Sequence, residues 1–290
     1  MDDRMFRSIH SSLLSFDIEW IPDPEAARRL VGAPEGDDPK SIQQGWNALW
    51  SRYGATPANP QPYLKTILCR IVSICGVYRE VGEDGGVVLK LITLPRDPTN
   101  PEQAAEVSIL RNFLKAVGRK NPQLVGFNSQ EADLPIVVQR SIVHGLFSEG
   151  LAERPEKPWL GMDYFAATSE ASIDLALLLG RFRQMPSLHE AAVLSGIPGK
   201  VEVSGVSVPE MWIQGRLEEV VAYNEFDVLT THLLWARMAH FIGLLTRESY
   251  AAEEFLVRRL IEEEIAGGKD HLKKFLAVWD GLRARSRQQG

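Results

Sequence analysis

The sequence has little cysteine, no long hydrophobic run and no excess of positive charge. Only two of its 290 residues are cysteine, Cys69 and Cys75, which are too few for a disulfide framework or a zinc site, so we expect two buried small side chains. The longest apolar runs, such as residues 175–179, are far too short to span a bilayer. With 32 Lys and Arg against 38 Asp and Glu, the net charge of −6 excludes a protein that coats nucleic acid by charge alone. It leaves open an enzyme that meets phosphate through metal ions.

A secretory signal is also not recognisable, because the first ten residues contain two aspartates and no apolar core behind a basic patch. We therefore expect a soluble, cytoplasmic protein that does not bind membranes. The composition, 44% apolar and 24% charged, is ordinary for a chain that buries a core. We predict one large domain over residues 1–245 with a long insertion at about 21–62, followed by a helical extension over 246–290.

The pattern of apolar residues predicts an α/β fold, a mixed sheet with helices on both faces. Strand signals come first as an antiparallel group and then alternate with helices, which is typical of such a fold. The insertion is read as a loop with one short helix, and its Trp46 and Trp50 are expected in the core. Residues 172–179 read equally as a strand or a helix. Residues 200–208 are expected to be extended, and residues 181–183 to form an exposed turn.

Three segments place acidic residues inside apolar sequence. The first, FDIEW at residues 16–20, reads as a strand, so Asp17 and Glu19 project from the same face. An edge strand with two solvated acids is an equal alternative. The second, VGFNSQEADLP at residues 125–135, runs from a strand into a helix start, and Asp133 lies where the helix dipole favours a carboxylate. Helix capping alone is the alternative there.

The third segment, YNEFDV at residues 223–228, lies in one long buried helix predicted over residues 210 to about 245. Residues i and i+4 share a helix face, so the Tyr223 hydroxyl and the Asp227 carboxylate point into the same space. A buried carboxylate is costly unless something pairs with it, and no basic residue lies one turn away. A metal ion or a distant arginine must supply the partner.

Together the four acids predict a metal site. If Asp17, Glu19, Asp133 and Asp227 converge, two of them about 4 Å apart repel by roughly 4 kcal/mol at an effective dielectric constant of about 20. Four negative charges balance two divalent cations, and hard oxygen ligands favour Mg²⁺ or Mn²⁺. Two such ions are the standard device for displacement at phosphorus.

The segments FDIE, GFNxxxxDLP and YNxxDV, in this order, resemble the three motifs of the DEDD superfamily of 3′–5′ exonucleases. The closest resemblance is to predicted bacterial exonucleases similar to the proofreading domain of family-B DNA polymerases, and it covers roughly residues 12–245. It implies a ribonuclease-H-like α/β domain. It also implies metal-dependent hydrolysis at the 3′ end of single-stranded nucleic acid, DNA more than RNA. It names no protein partner.

The resemblance implies a role for each matching acid. Asp17 would bridge two divalent cations, Glu19 and Asp227 would complete the first, and Asp133 would hold the second, partly through water. Tyr223 would orient the attacking water, which is the arrangement of the tyrosine subtype.

Other matching residues are implied to contact the substrate. Asn128 and Phe127 would meet the terminal nucleotide, and Lys200 in the linker before the third motif would meet phosphate. Helix capping by Asn128 and a solvated loop lysine are the alternatives. The histidine subtype is excluded, because Ala222 stands where that subtype has its histidine.

The sequence departs from the family pattern at two positions. Ala132 replaces the aromatic residue that usually precedes the second-motif Asp, which removes a stacking surface for a terminal base. Trp20 follows Glu19 where many members have Thr. Glu106 falls where such domains often carry an acid, but we expect it on a solvated helix face.

Two other classes of function stay open. A nucleotide-sugar transferase would use Asp17 and Glu19 as a metal clamp, which leaves Asp133, Tyr223 and Asp227 without a task. A catalytically weak module on an exonuclease fold would bind nucleic acid or a protein partner. It would hold single-stranded ends without a metal-dependent product.

Overall fold

A computed structural model describes residues 5–148, 150–157, 160–166, 169–180, 184–200 and 207–289. In this part of the chain the centre is a mixed sheet of five strands in the order β3-β2-β1-β4-β5. Strand β1 pairs antiparallel with β2 and parallel with β4; β3 extends the antiparallel side and β5 the parallel side. The predicted α/β class with a mixed sheet is confirmed. The strands are β1 (Ser12–Pro22), β2 (Cys69–Val81), β3 (Val87–Leu94), β4 (Gln123–Gly126) and β5 (Ser172–Asp174).

Helices cover both faces of this sheet, as predicted. The first half of the chain supplies α1 (Pro24–Val31), α2 (Pro39–Arg52), α3 (Pro101–Ala104), α4 (Glu106–Lys120) and α5 (Asp133–Val143). The second half supplies α6 (Leu175–Gly180), α7 (Leu188–Leu194), α8 (Val208–Ile213), α9 (Leu217–Phe241), α10 (Arg247–Ala266) and α11 (Leu272–Gln289). None of the helices described is long and apolar enough to cross a membrane.

Strand β1 separates two apolar clusters because its side chains alternate between the faces of the sheet. Phe16 lies in the first cluster with Phe113 of α4 and Trp46 of α2. Leu13 lies in the second cluster with residues of α9, α10 and α11, such as Trp279. The two cysteines are free and buried, as predicted.

The chain carboxyl-terminal to residue 245 packs against α9. Phe275 of α11 stacks on Phe226 of α9 with ring centroids 6.0 Å apart. A buried ion pair joins Arg79 of β2 to Glu253 of α10, with 2.6 Å between Nη2 and Oε1. The predicted extension corresponds to α10 and α11, while the division of the chain at residue 245 stays a prediction.

The predicted helix at 210–245 is two helices instead of one. Helix α8 ends at Ile213, and Gly215 turns the chain through a left-handed conformation with φ of +74° before α9 begins. Residues 172–179, read equally as strand or helix, contain β5 followed by α6. Of the extended segment predicted at 200–208, residues 201–206 lie outside the described residues, as does the turn at 181–183.

The insertion holds two helices where one was expected. Each begins at an Asp-Pro pair, in which Asp23 or Asp38 caps the first backbone N–H groups and the proline follows at the first helical position. Trp46 and Trp50 are buried, as predicted. The aromatic residues of α2 therefore anchor the insertion to the sheet.

Glu106 is buried, so the expected solvated face is wrong. The carboxylate accepts hydrogen bonds from Arg140 of α5, from the Ile71 N–H and from the His144 ring, at distances of 2.6–2.9 Å. Arg140 also donates to Asp23 at 2.7 Å. A charged group is stable inside the protein when it is paired and hydrogen-bonded in this way.

Candidate active site

Asp17 and Glu19 lie on the central strand, where the alternation of side chains turns both toward α9. Asp17 is opposite Cys75 of β2 and Glu19 is opposite Ser73, and the register then shifts between Glu19 and Trp20. Carboxylate oxygens of Asp17, Glu19 and Asp227 lie within 4.8 Å of one another. Residues more than 200 positions apart in the sequence thus meet at one point.

Asp133 lies against the same strand and lines the same cavity as these three acids. It is the first residue of α5, and its Oδ1 accepts a hydrogen bond from the backbone N–H of Ile18 at 3.3 Å. Ile18 stands between Asp17 and Glu19, so this bond fixes the fourth acid against the strand that carries the first two.

Helix α9 supplies Tyr223 and Asp227, one turn apart on the same face. The Tyr223 hydroxyl lies within hydrogen-bonding reach of the Asp227 carboxylate and lowers its pKa. Asp227 Oδ1 is buried and has no hydrogen-bond partner among the described residues. An unpartnered buried carboxylate oxygen is costly, and it marks a position at which a cation would bind favourably.

One cavity of about 630 Å³ brings all eight residues predicted from the sequence together. Its volume lies in the ordinary range for ligand sites. Lys200 stands at its wall with Nζ 5.8 Å from the centre of the Tyr223 ring. The eight residues that line it are Asp17, Glu19, Phe127, Asn128, Asp133, Lys200, Tyr223 and Asp227.

The carboxylates resist ionisation together. Burial raises the pKa of Asp17 and Glu19 well above their usual values, and the charges of neighbouring acids raise both further. Burial also raises the pKa of Asp133 to about 7 and that of Asp227 to about 6. The Lys200 charge and the Tyr223 hydrogen bond lower the pKa of Asp227 without cancelling the effect of burial. If all four were ionised, the cluster would therefore carry more negative charge than the side chains around it neutralise.

This set of donors fits a divalent metal ion. All are carboxylate oxygens, the hard ligands that Mg²⁺ and Mn²⁺ prefer, and three of them lie close enough to share one ion. The raised pKa values and the unpartnered Asp227 oxygen both indicate missing positive charge.

Sequence reasoning missed two residues that hold the site in shape. Asn224 donates from Nδ2 to Asp17 Oδ2 at 3.1 Å, and only its place beside Tyr223 hinted at a role. Asp174, at the end of β5, accepts from the backbone N–H groups of Asn128 and Gln130, each at 2.9 Å. Its position at the end of a short strand was the available signal.

The turn between β4 and α5 requires glycine at residue 126. A Cβ atom there would collide with the Ser129 side chain, which folds back over the strand end. Asn128 follows with a positive φ of +61°, a conformation that asparagine tolerates better than most residues. The GFN part of the second motif is thus needed for the shape of the loop that carries Phe127 and Asn128 into the cavity.

Glu225, between Tyr223 and Asp227, faces away from the cavity. Its buried carboxylate accepts from Lys269 at 2.6 Å and from the His271 ring at 2.7 Å, both in the connection between α10 and α11. Sequence reasoning gave this residue no role. It connects the turn of α9 that carries the site to the last two helices.

The profile of one protein family matches residues 61–279, well over half of the chain. That family is described as predicted 3′–5′ exonucleases related to the exonuclease domain of PolB. The chain belongs to this family. The match confirms the resemblance to this family and the fold that it implies, and it contains the second and third of the three motifs. It contains Asp133, Tyr223 and Asp227, extends through α10 into α11, and begins after β1. A search of curated proteins finds no match.

Proposed function

We propose that this member of the exonuclease family hydrolyses phosphodiester bonds from the 3′ end of single-stranded nucleic acid with the help of two divalent cations. The observation that carries the proposal is the convergence of Asp17, Glu19 and Asp227 within 4.8 Å, with Asp133 and Tyr223 in the same cavity. The preference for DNA over RNA rests on the family's relation to the PolB exonuclease domain.

The four acids are proposed as the metal ligands. Asp17, Glu19 and Asp227 would hold one Mg²⁺ or Mn²⁺, and Asp17 and Asp133 would hold the second. Two such ions, once bound, supply the charge that activates water and stabilises the phosphate during displacement. Asn224 keeps the Asp17 carboxylate oriented for this task through its hydrogen bond.

Tyr223 is proposed to position the attacking water. Burial raises the pKa of its phenol, and the charges of Asp227, Glu19 and Asp17 raise it further, so the hydroxyl keeps its proton. A neutral hydroxyl beside Asp227 orients a water molecule by hydrogen bonding and does not act as a base. Correct placement of a reacting group is worth several orders of magnitude in rate.

The substrate would be held by the rest of the cavity wall. Lys200, whose Nζ lies 5.8 Å from the centre of the Tyr223 ring, is proposed to meet a phosphate. Phe127 and Asn128 are proposed to contact the terminal nucleotide. The transferase alternative leaves Asp133, Tyr223 and Asp227 unused although all three line the cavity, so we do not pursue it.

The test uses 5′-labelled single-stranded DNA and RNA with Mn²⁺ or with EDTA. We expect products shortened stepwise from the 3′ end, absent in EDTA and absent in Asp17→Asn, a variant that removes one charge at nearly constant shape. Asp84→Asn, in the exposed β2–β3 turn, is the matched control and should act like the wild type.

Three results would contradict the proposal. Degradation in EDTA would exclude the metal requirement, and equal degradation by Asp17→Asn would exclude the site. Binding of single-stranded ends without any product would favour the non-catalytic module. Thermal unfolding of each variant checks that lost activity does not reflect lost folding.

A further inference from the structure

Two aromatic rings stand side by side in the wall of the cavity, next to the acids. Trp20 directly follows Glu19 at the end of β1, and Tyr63 comes from the segment between α2 and β2. Their ring centroids are 5.6 Å apart in an edge-to-face arrangement, and both rings line the cavity. Neither ring belongs to the three motifs.

The exposure of Tyr63 does not suit a core residue. Trp20 is half-buried and packs against the first apolar cluster, whereas Tyr63 is 79% exposed. Trp20 therefore supports the Tyr63 ring from one side, and the other surface of the ring stays accessible. An aromatic ring that is held in place but open to solvent loses little conformational freedom when it binds a flat partner.

The Tyr63 phenol lies within electrostatic reach of the acids. The pKa of the Tyr63 phenol is raised by partial desolvation and then by the charges of Asp133, Cys69, Glu19 and Asp17. Ala132 lines the same cavity and contributes only a methyl group. Ala132 therefore supplies no stacking surface of its own to the cavity that the Trp20–Tyr63 pair also lines.

A stacking surface matters here because the charge of the protein attracts phosphates only weakly. A net charge of −6 and a carboxylate cluster supply no general attraction for phosphates away from the metal site. Stacking of a base on an aromatic ring is worth about 1–3 kcal/mol and accepts any base, since every base has a flat π-face. Stacking is therefore a way in which this cavity gains affinity for a nucleic acid without phosphate contacts.

We propose that Trp20 and Tyr63 form a stacking subsite for the bases at the 3′ end of a single-stranded substrate. The subsite rests on the proposed function and deepens it. It selects single-stranded ends, because unpaired bases are free to stack on the two rings. The pair would provide the stacking surface that the family pattern provides through an aromatic residue at position 132.

The experiment compares two labelled DNA oligonucleotides that differ only in their last two 3′ nucleotides, normal in one and abasic in the other. We expect Tyr63→Ala to weaken binding of the normal oligonucleotide about tenfold. The same variant should raise KM by a similar factor while kcat stays within about twofold of the wild type. Binding of the abasic oligonucleotide, already weak, should not change.

Matched variants separate stacking from other effects. Tyr63→Phe keeps the ring and should bind like the wild type, and Phe147→Ala removes an exposed ring outside the cavity and should do the same. Trp20→Ala should resemble Tyr63→Ala, with its thermal unfolding measured because Trp20 also packs against the core.

Two results would overturn the subsite alone. One is unchanged affinity of Tyr63→Ala for the normal oligonucleotide while the wild type still degrades it, which leaves the proposed function standing. The other is an equal loss of affinity for the normal and abasic oligonucleotides, which would assign Tyr63 to the sugar-phosphate backbone. A wild type that neither binds nor degrades the normal oligonucleotide would refute the proposed function together with the subsite.

Discussion

At the scale of single residues, the site brings several acidic side chains close together, and their mutual repulsion lowers the stability of the fold. The identity of its acids was predictable, because a carboxylate inside apolar sequence is conspicuous. The supporting residues were not, because Asn224 and Asp174 act through hydrogen bonds to residues distant in the sequence. Such bonds leave no periodic pattern. The place of the Tyr63 ring was also unpredictable, because its contact with Trp20 joins residues distant in the sequence.

We expect Asp227→Asn to stabilise the metal-free protein. The change removes one buried charge from a cluster whose members repel one another, and the melting temperature in EDTA at about pH 8 should rise by a few degrees, the equivalent of about 1 kcal/mol. Mn²⁺ should raise the melting temperature of the wild type markedly and that of the variant much less.

Differential scanning fluorimetry with and without Mn²⁺ measures both effects. Asp84→Asn, on the exposed turn, serves as the control and should shift neither value. A lower melting temperature for Asp227→Asn in EDTA would mean that the carboxylate stabilises the fold, against the repulsion argued above.

At the scale of elements, the site depends on β1, α5 and α9 meeting correctly. The strands and most helices were predictable from their apolar periods. The break between α8 and α9 was missed, although Gly215 marks it, because apolar residues continue on both sides. The two Asp-Pro helix starts in the insertion were missed because its composition resembles a loop. The burial of Glu106 depends on Arg140 from another helix, so no local pattern revealed it.

The Glu106–Arg140 pair should make stability depend on pH. Burial alone would raise the pKa of Glu106, but the Arg140 hydrogen bonds and charge, with His144 and the Ile71 N–H, hold it below its usual value. The folded state then binds fewer protons than the unfolded state. This contribution to stability is complete above about pH 4.5 and is lost as the pH falls through the folded-state pKa.

Glu106→Gln tests this, because it leaves Arg140 buried with one fewer anionic partner. We expect a loss of about 3 kcal/mol in the free energy of unfolding at about pH 7, measured with urea, and a smaller loss at about pH 4. Glu102→Gln, on the exposed first turn of α3, should change the free energy little at either pH. An equal loss for Glu106→Gln at both pH values would contradict the assignment.

At the scale of the whole molecule, the sheet is covered on one face by the first half of the chain and on the other chiefly by α9, α10 and α11. The class of fold was predictable because strands and helices alternate. The extent to which the last two helices share the core was not, because an amphipathic helix does not reveal what covers its apolar face. Phe275 and Trp279 are fully buried there.

A chain that ends at residue 245 should therefore fold poorly. It would expose Phe226 and leave the Glu225 carboxylate without Lys269 and His271, which normally neutralise it. We expect aggregation, or a melting temperature lower by more than about 10 °C. A chain that ends at residue 285 keeps Phe275 and Trp279 and is the control. Full stability of the shorter chain would make the extension an independent unit.

The segment that carries Tyr63 into the cavity has a consequence for how the substrate preference of this protein would change. The acids are carried by β1, α5 and α9, whereas Tyr63 is carried by the link that leaves α2. One half of the proposed stacking subsite is thus encoded in a different stretch of the gene from the acids. Exchanging the link while keeping its two ends in place offers a way to engineer which termini are degraded without redesigning the chemistry.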